Sequence, residues 1–260
     1  MKKYTIDRTC SDLARQACET KPVPADKSGV NEGNASIREE EAGVFVNPLS
    51  DAGFKILFEK SGVSENATGL KEGELLRDML NAFFDERIAP INKVRYKNTE
   101  LFGETINQRK TVFDIYFVDG TERNFVIEMQ DERDEFMVNR ARNYICRAHS
   151  NALEKGKKFE HRQAPVIGVV IANFYMHQQK EMPCISVIES AELKASLVAI
   201  ELTKLVTIEL PKFNKRIEDL KDKKDVYLFL LKNMGKLKEV PPQFDNDDYR
   251  PYLRLRELPI

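Results

Sequence analysis

The chain has 260 residues, 42% of them hydrophobic and 32% charged, with a formal net charge of −1. That is enough chain to bury a substantial core as one large domain or two small ones, and the composition is of soluble globular type. The near-neutral balance excludes a globally basic field, so any contact with nucleic acid must use a local basic patch.

The N-terminal 44 residues stand apart. They are rich in Lys, Glu, Ser, Asn and Pro and hold one aromatic residue, Tyr4. Such a segment cannot bury enough apolar surface to offset its chain entropy, and a flexible polar leader is expected over 1–44, with room for a short helix over 10–18. Its opening, MKKYTIDRTCSDLARQ, has basic residues without a following apolar stretch, which is not the pattern of a secretory signal. No apolar run reaches the ~20 residues of a membrane span. The four cysteines (Cys10, Cys18, Cys146, Cys184) form no CxxC pair, and His149, His161 and His177 fall at no metal-ligand spacing. A cytoplasmic protein with idle thiols and no membrane partner is the expectation. The folded domain is placed at 45–240, with an irregular tail over 241–260.

Within that domain, EGELLRDMLNAFFDERI places Leu75, Leu76, Met79, Leu80, Phe83 and Phe84 at three-and-four spacing, which predicts an amphipathic helix ended by Pro90. VRYKNTEL (94–101) reads as a first strand. FDIYFVDGTERNFVIEMQ (113–130) reads as two strands around a turn near Asp119-Gly120. The next segment has few β-branched residues, predicting a long helix over 133–154 closed by Gly156. APVIGVVIANF (164–174) is continuously apolar and Val/Ile-rich, as in a strand buried on both faces. CISVIES and LVTIEL add strands, and the Lys-rich stretch 212–233 suggests one or two terminal helices. The order predicts an α/β fold: helix, three-strand meander, helix and strand, with added C-terminal strands and helices.

The hairpin carries carboxylates where core residues are expected, Asp114 in one strand and Glu128 in the other, with Gln130 two places on. A carboxylate inside an apolar strand is costly unless it is paired or binds a metal. Two on adjacent strands repel, and a hard divalent ion such as Mg²⁺ or Mn²⁺ removes the conflict. Alternation puts Glu128 and Gln130 on one face. A two-residue Asp119-Gly120 turn gives the wrong parity for Asp114 to lie across from Glu128. A three-residue loop, Gly120-Thr121-Glu122, or a bulge restores it. The alternative is that both acids lie on the solvent face of an edge hairpin.

This carboxylate–hairpin–E-x-Q arrangement before a helix resembles the PD-(D/E)XK nuclease core. Further segments are similar to the recombination-promoting nuclease and transposase family in particular: SDAGFKILFEK, LRDMLNAFF, VIEMQ, FMVNRARNY and LPKF, in this order over 47–245. The resemblance implies a restriction-endonuclease-like core and a metal-dependent DNA endonuclease linked to recombination or mobile elements, with Mg²⁺ or Mn²⁺ as cofactor. It implies Asp114, Glu128, Gln130 and Asp51 as catalytic residues, and Asp114, Glu128 and the Met129 carbonyl as metal ligands. Gln130 stands where many relatives place lysine; it can orient a water but brings no charge, which keeps a catalytically weak or inactive DNA-binding module as the alternative.

DNA is the expected partner, and a homodimer is compatible with the sequence. Lys55 can reach a phosphate or sit idle on a helix surface. Glu74 is an extra acid or a first-turn residue favoured by the helix dipole. Arg140 and Tyr144 lie one helical turn apart, as a DNA contact or as a solvated arginine beside a core tyrosine. Arg142 and Arg147 add a local basic patch for a DNA backbone.

Overall fold

The structure is a computed structural model, and it describes residues 45–58, 71–101, 111–151, 164–177, 181–189 and 203–244. All of these belong to the larger of two compact units, Glu40–Ile260. The leader expected over 1–44, the short helix over 10–18, the helix end expected at Gly156 and the end of the tail lie outside the described residues.

The elements run in the order α1 (Asp51–Phe58), α2 (Glu74–Phe83), β1 (Val94–Tyr96), β2 (Glu100–Leu101), β3 (Thr111–Val112), β4 (Ile115–Asp119), β5 (Asn124–Gln130), α3 (Met137–Asn151), β6 (Val166–Ala172), β7 (Ile185–Glu189), β8 (Thr203–Glu209) and α4 (Lys223–Asn233). Six strands form one mixed sheet in the order β1-β4-β5-β6-β8-β7, and β2 with β3 makes a separate small ribbon. The β1-β4-β5 part is antiparallel; β6 joins β5 in parallel after the α3 crossover, β8 continues in parallel, and β7 closes the edge antiparallel. The fold is therefore α/β with the expected meander, crossover and C-terminal additions.

Apolar side chains fill both faces of the sheet. On one face α1, α2 and α4 cover Ile115, Phe117, Phe125, Ile127 and Met129. On the other, α3 covers Tyr116, Val126 and Val170 through Met137, Ala141 and Ile145. Every residue of β6 is buried, as its unbroken apolar sequence requires. Gly168 in β6 lets α3 sit close, because a Cβ there would lie 2.6 Å from Ile145 Cδ1. Phe117 and Phe125 face each other across the hairpin with rings stacked at 4.8 Å, and Phe84 stacks on Phe125 at 6.1 Å. Each such ring contributes ~2–3 kcal/mol through burial.

Three boundaries differ from the sequence expectation. The apolar helix α2 stops at Phe83, well before Pro90, because Phe84 turns extended to reach Phe125 and the Asn81 amide holds the returning chain at both the N–H and C=O of Ile91. The single strand expected over 94–101 is divided between β1 and the ribbon. The crossover helix begins at Met137 rather than 133, where Asp134 accepts the Phe136 N–H through its side chain and the Met137 N–H through its carbonyl. The Lys-rich stretch holds one α-helix, α4, within the expected one or two, capped by Asp222 and preceded by short 3₁₀ turns over 210–212 and 217–219. Among the described residues no helix is long and apolar enough to cross a membrane.

Candidate active site

The hairpin has the register that brings the two acids level. Ile115 pairs with Ile127, Tyr116 with Val126 and Phe117 with Phe125, so the position opposite Glu128 is Asp114. A three-residue loop achieves this: the Asp119 N–H donates to Arg123 O, and Glu122 takes the left-handed conformation, φ 63°, that such loops require. Asp119 holds the loop by accepting from Thr121 and Arg123.

At Asp114 the chain bends away, with the Phe113 N–H donating to Thr99 O, just before the ribbon strand β2, instead of continuing the hairpin ladder. Extending the ladder by parity would pair Met129 with residue 113, so this departure leaves the Met129 N–H without its main-chain acceptor. The Asp114 carboxylate takes that place, Oδ2 accepting from Met129 N at 2.8 Å. Its other oxygen, Oδ1, faces Lys55 Nζ of α1 at 3.7 Å. In extended chain a residue's C=O leaves by the same edge as its N–H, so the Met129 carbonyl is on the Asp114 side of β5.

Glu128 is 7% exposed, and among the described residues its Oε1 has no hydrogen-bond partner. Burial pushes its carboxyl up to about 8, and the Asp114 charge adds to the rise; Arg140 and Lys55 oppose it. Asp114 is raised too, chiefly by burial, with the Met129 N–H and Lys55 pulling down and the Asp51 charge pushing up. Buried, and with the Asp114 charge acting on it, Glu128 cannot ionise cheaply.

Gln130 and Arg140 form the next layer. Arg140 Nη2 donates to Gln130 Oε1 at 2.6 Å, and Nη1 to Asp134 Oδ2 at 2.7 Å. A guanidinium only donates, so it fixes the Gln130 amide with its oxygen toward Arg140 and its NH₂ turned away. The guanidinium lies 6.0 Å from the centre of the Tyr144 ring, and Tyr144 packs edge-on against Phe113 at 5.3 Å. Tyr144 is thus both a packing residue and part of the site's wall; burial raises its phenol, and the charge of Glu128 raises it further.

The profile of the PD-(D/E)XK nuclease family transposases matches residues 48–252, most of the chain and all of the sheet just described. The chain belongs to that family. No curated protein and no solved structure matches it.

In this family member, the residues singled out from sequence divide into those that converge and those that do not. Asp114, Glu128, Met129, Gln130, Lys55, Arg140 and Tyr144 surround one spot beside the C-terminal end of β5. Asp51 lies one turn before Lys55 on α1, exposed, and acts on Asp114 through its charge. Among the described residues no group of three or more His, Cys, Asp or Glu side chains is placed to hold a metal ion, so Asp51 does not complete a three-carboxylate set. Arg142 is exposed and turned ~200° round the helix from Arg140, so it does not share that face. Arg147, two turns on, returns to Arg140's side. Glu74 serves the start of α2, accepting from Lys71 N and pairing with Arg77.

Sequence reasoning missed Asp134, which clamps Arg140, and Phe113, which supports Tyr144. The signal for Asp134 was an acid three residues before the helix start, a common capping position. Phe113 carried no signal, since its partner comes from a distant helix.

Proposed function

We propose that this chain is a metal-dependent DNA endonuclease acting in recombination or transposition. The observation that carries the reading is Glu128 Oε1, a buried carboxylate oxygen without a donor among the described residues, held close enough to Asp114 for the Asp114 charge to penalise its ionisation. Two such acids are stable in ionised form only with a cation between them, and a hard divalent ion, Mg²⁺ or Mn²⁺, suits an all-oxygen set. Asp114 Oδ1, Glu128 Oε1 and the Met129 carbonyl are the groups that would hold it. Bound there, it would supply Lewis acidity toward a phosphoryl oxygen and acidify a water.

The chain's own residues do the rest. The Met129 N–H pins the Asp114 carboxylate, leaving one oxygen for the cation. The Gln130 NH₂, oriented by Arg140, offers donors to a phosphate oxygen. Lys55, Arg140 and Arg147 supply positive charge for the DNA backbone, while Tyr144 offers a ring edge to sugar or base. In the reaction, water oxygen bonds to phosphorus, the bond from phosphorus to the 3′-oxygen breaks, and that oxygen takes the proton.

A second reading, a DNA-binding module without turnover, is favoured by one observation: Gln130 brings no charge, and its amide oxygen is occupied by Arg140. Plasmid nicking with Mg²⁺ or Mn²⁺ separates the two. The endonuclease reading expects nicking by the wild type and its loss, ~100-fold or more, in both Asp114→Ala and Glu128→Ala. Equal nicking by all three proteins would expose a contaminant, and salt-sensitive DNA binding without nicking would establish the module.

A further inference from the structure

Resting on the endonuclease reading, we infer that Lys55 is the catalytic cation of this site, holding Asp114 in the metal-free protein and turning to the scissile phosphate when a divalent ion claims the same oxygen. Among the described residues two side-chain cations act on Glu128, Arg140 and Lys55. Arg140 is committed: both Nη atoms are bonded, one to Asp134 and one to Gln130, and its guanidinium rests beside the Tyr144 ring. Its Nε has no partner among the described residues but is buried, so a phosphate can recruit the guanidinium only by breaking that clamp.

Lys55 is held differently. Its ammonium lies 3.7 Å from Asp114 Oδ1, its side chain is 33% exposed, and it has three donors on a rotatable stem. The helix that carries it is anchored, because Phe54, Leu57 and Phe58 on either side are buried in the core. The ammonium can therefore move while its backbone stays in place. The Met129 N–H occupies Asp114 Oδ2, so Oδ1 is the oxygen left for a cation, and Lys55 sits against it. Lysine and divalent ion compete for Oδ1. Once displaced, the ammonium remains beside the acid pair with its donors unspent, where a phosphodiester accumulates negative charge on its non-bridging oxygens as water attacks.

Competition and catalysis predict opposite signs for one substitution. In the full-length protein, Lys55→Met removes the competitor, and Mn²⁺ affinity, read from the free Mn²⁺ signal in electron paramagnetic resonance, rises by about fivefold. The same variant nicks plasmid about 100-fold more slowly at saturating Mn²⁺, because the donor at the phosphate is gone. Lys55→Arg keeps the charge, returns Mn²⁺ affinity toward wild type and recovers part of the rate. A purely structural lysine would weaken metal binding and turnover together. Lys55→Gln, polar and shorter, provides the same two readings should the methionine variant fold poorly. A wild type that cuts nothing overturns the endonuclease reading and this proposal with it. A wild type that cuts, beside a Lys55→Met protein equal to it in rate or in Mn²⁺ affinity, overturns the assignment of Lys55 alone.

Discussion

Replacing Glu128 by glutamine tests the electrostatics of the acid pair without any need for turnover. The substitution keeps the shape of the side chain and removes its charge. In the metal-free protein, burial and the facing charges raise the Glu128 carboxyl from 4.5 to about 8; Asp114 pushes it up, Arg140 and Lys55 pull it down, and Asp51 and Tyr144 complete the surroundings through Asp114 and the site wall. Between those two pH values the folded protein holds a proton that the unfolded chain has lost. Wild-type stability therefore falls as pH rises from 4.5 to about 8 and levels off above. The full difference corresponds to ~5 kcal/mol, or ~10–20 °C in Tm for a domain of this size. Glutamine does not titrate, so Glu128→Gln should match the wild type near pH 4.5 and exceed it by up to that amount at pH 9 in EDTA, as read by urea or thermal denaturation. Added Mn²⁺ should raise the wild-type Tm at pH 9 much more than that of the variant. Parallel stability–pH curves for the two proteins would refute the idea that Glu128 is a strained, uncompensated acid.

Asp119 has the opposite linkage. Burial alone would raise its carboxyl, but bonds from Arg123 and Thr121 outweigh that and hold it below 3.8, so its contribution is present above that pH and lost in acid; Asp119→Asn should cost ~2–4 kcal/mol at pH 7 by urea denaturation and flatten the acid limb. Gly73, at φ 73° before α2, would place a Cβ 2.6 Å from Val94 Cβ, so Gly73→Ala should lower stability by ~1–3 kcal/mol, whereas an unchanged Tm would contradict the close approach of α2 to β1. Arg140→Met frees the Gln130 amide and strands Asp134; a loss of ~1–2 kcal/mol and slower nicking are expected, with Mn²⁺ binding retained, and wild-type nicking in this variant would remove Arg140 from the site.

How much of this was written in the chain order can be judged from individual residues. The hairpin was legible to its parity, with a three-residue loop and a bulge both open, because strand alternation ties side-chain face to register, and acids that meet across it admit only one parity. The apolar run of β6 announced a strand covered on both sides, and the stripe of α2 announced its buried face. Each of these is a local period, set by backbone geometry and readable without neighbours.

Other features depended on contacts between distant segments. Where α2 ends was decided by Phe84 reaching Phe125 and by Asn81 binding Ile91. That Arg140 faces Gln130 rather than solvent followed from Asp134 and from Gly168, which lets α3 lie close to the sheet. Asp114 and Lys55 meet only because a buried helix face sets α1 against the bend in β4. Residue type and spacing determined the elements and the chemistry available to them. Only packing decided which charges share a desolvated space, since that depends on where helices come to rest, and Coulomb energies change steeply over the few ångströms that sequence does not encode locally.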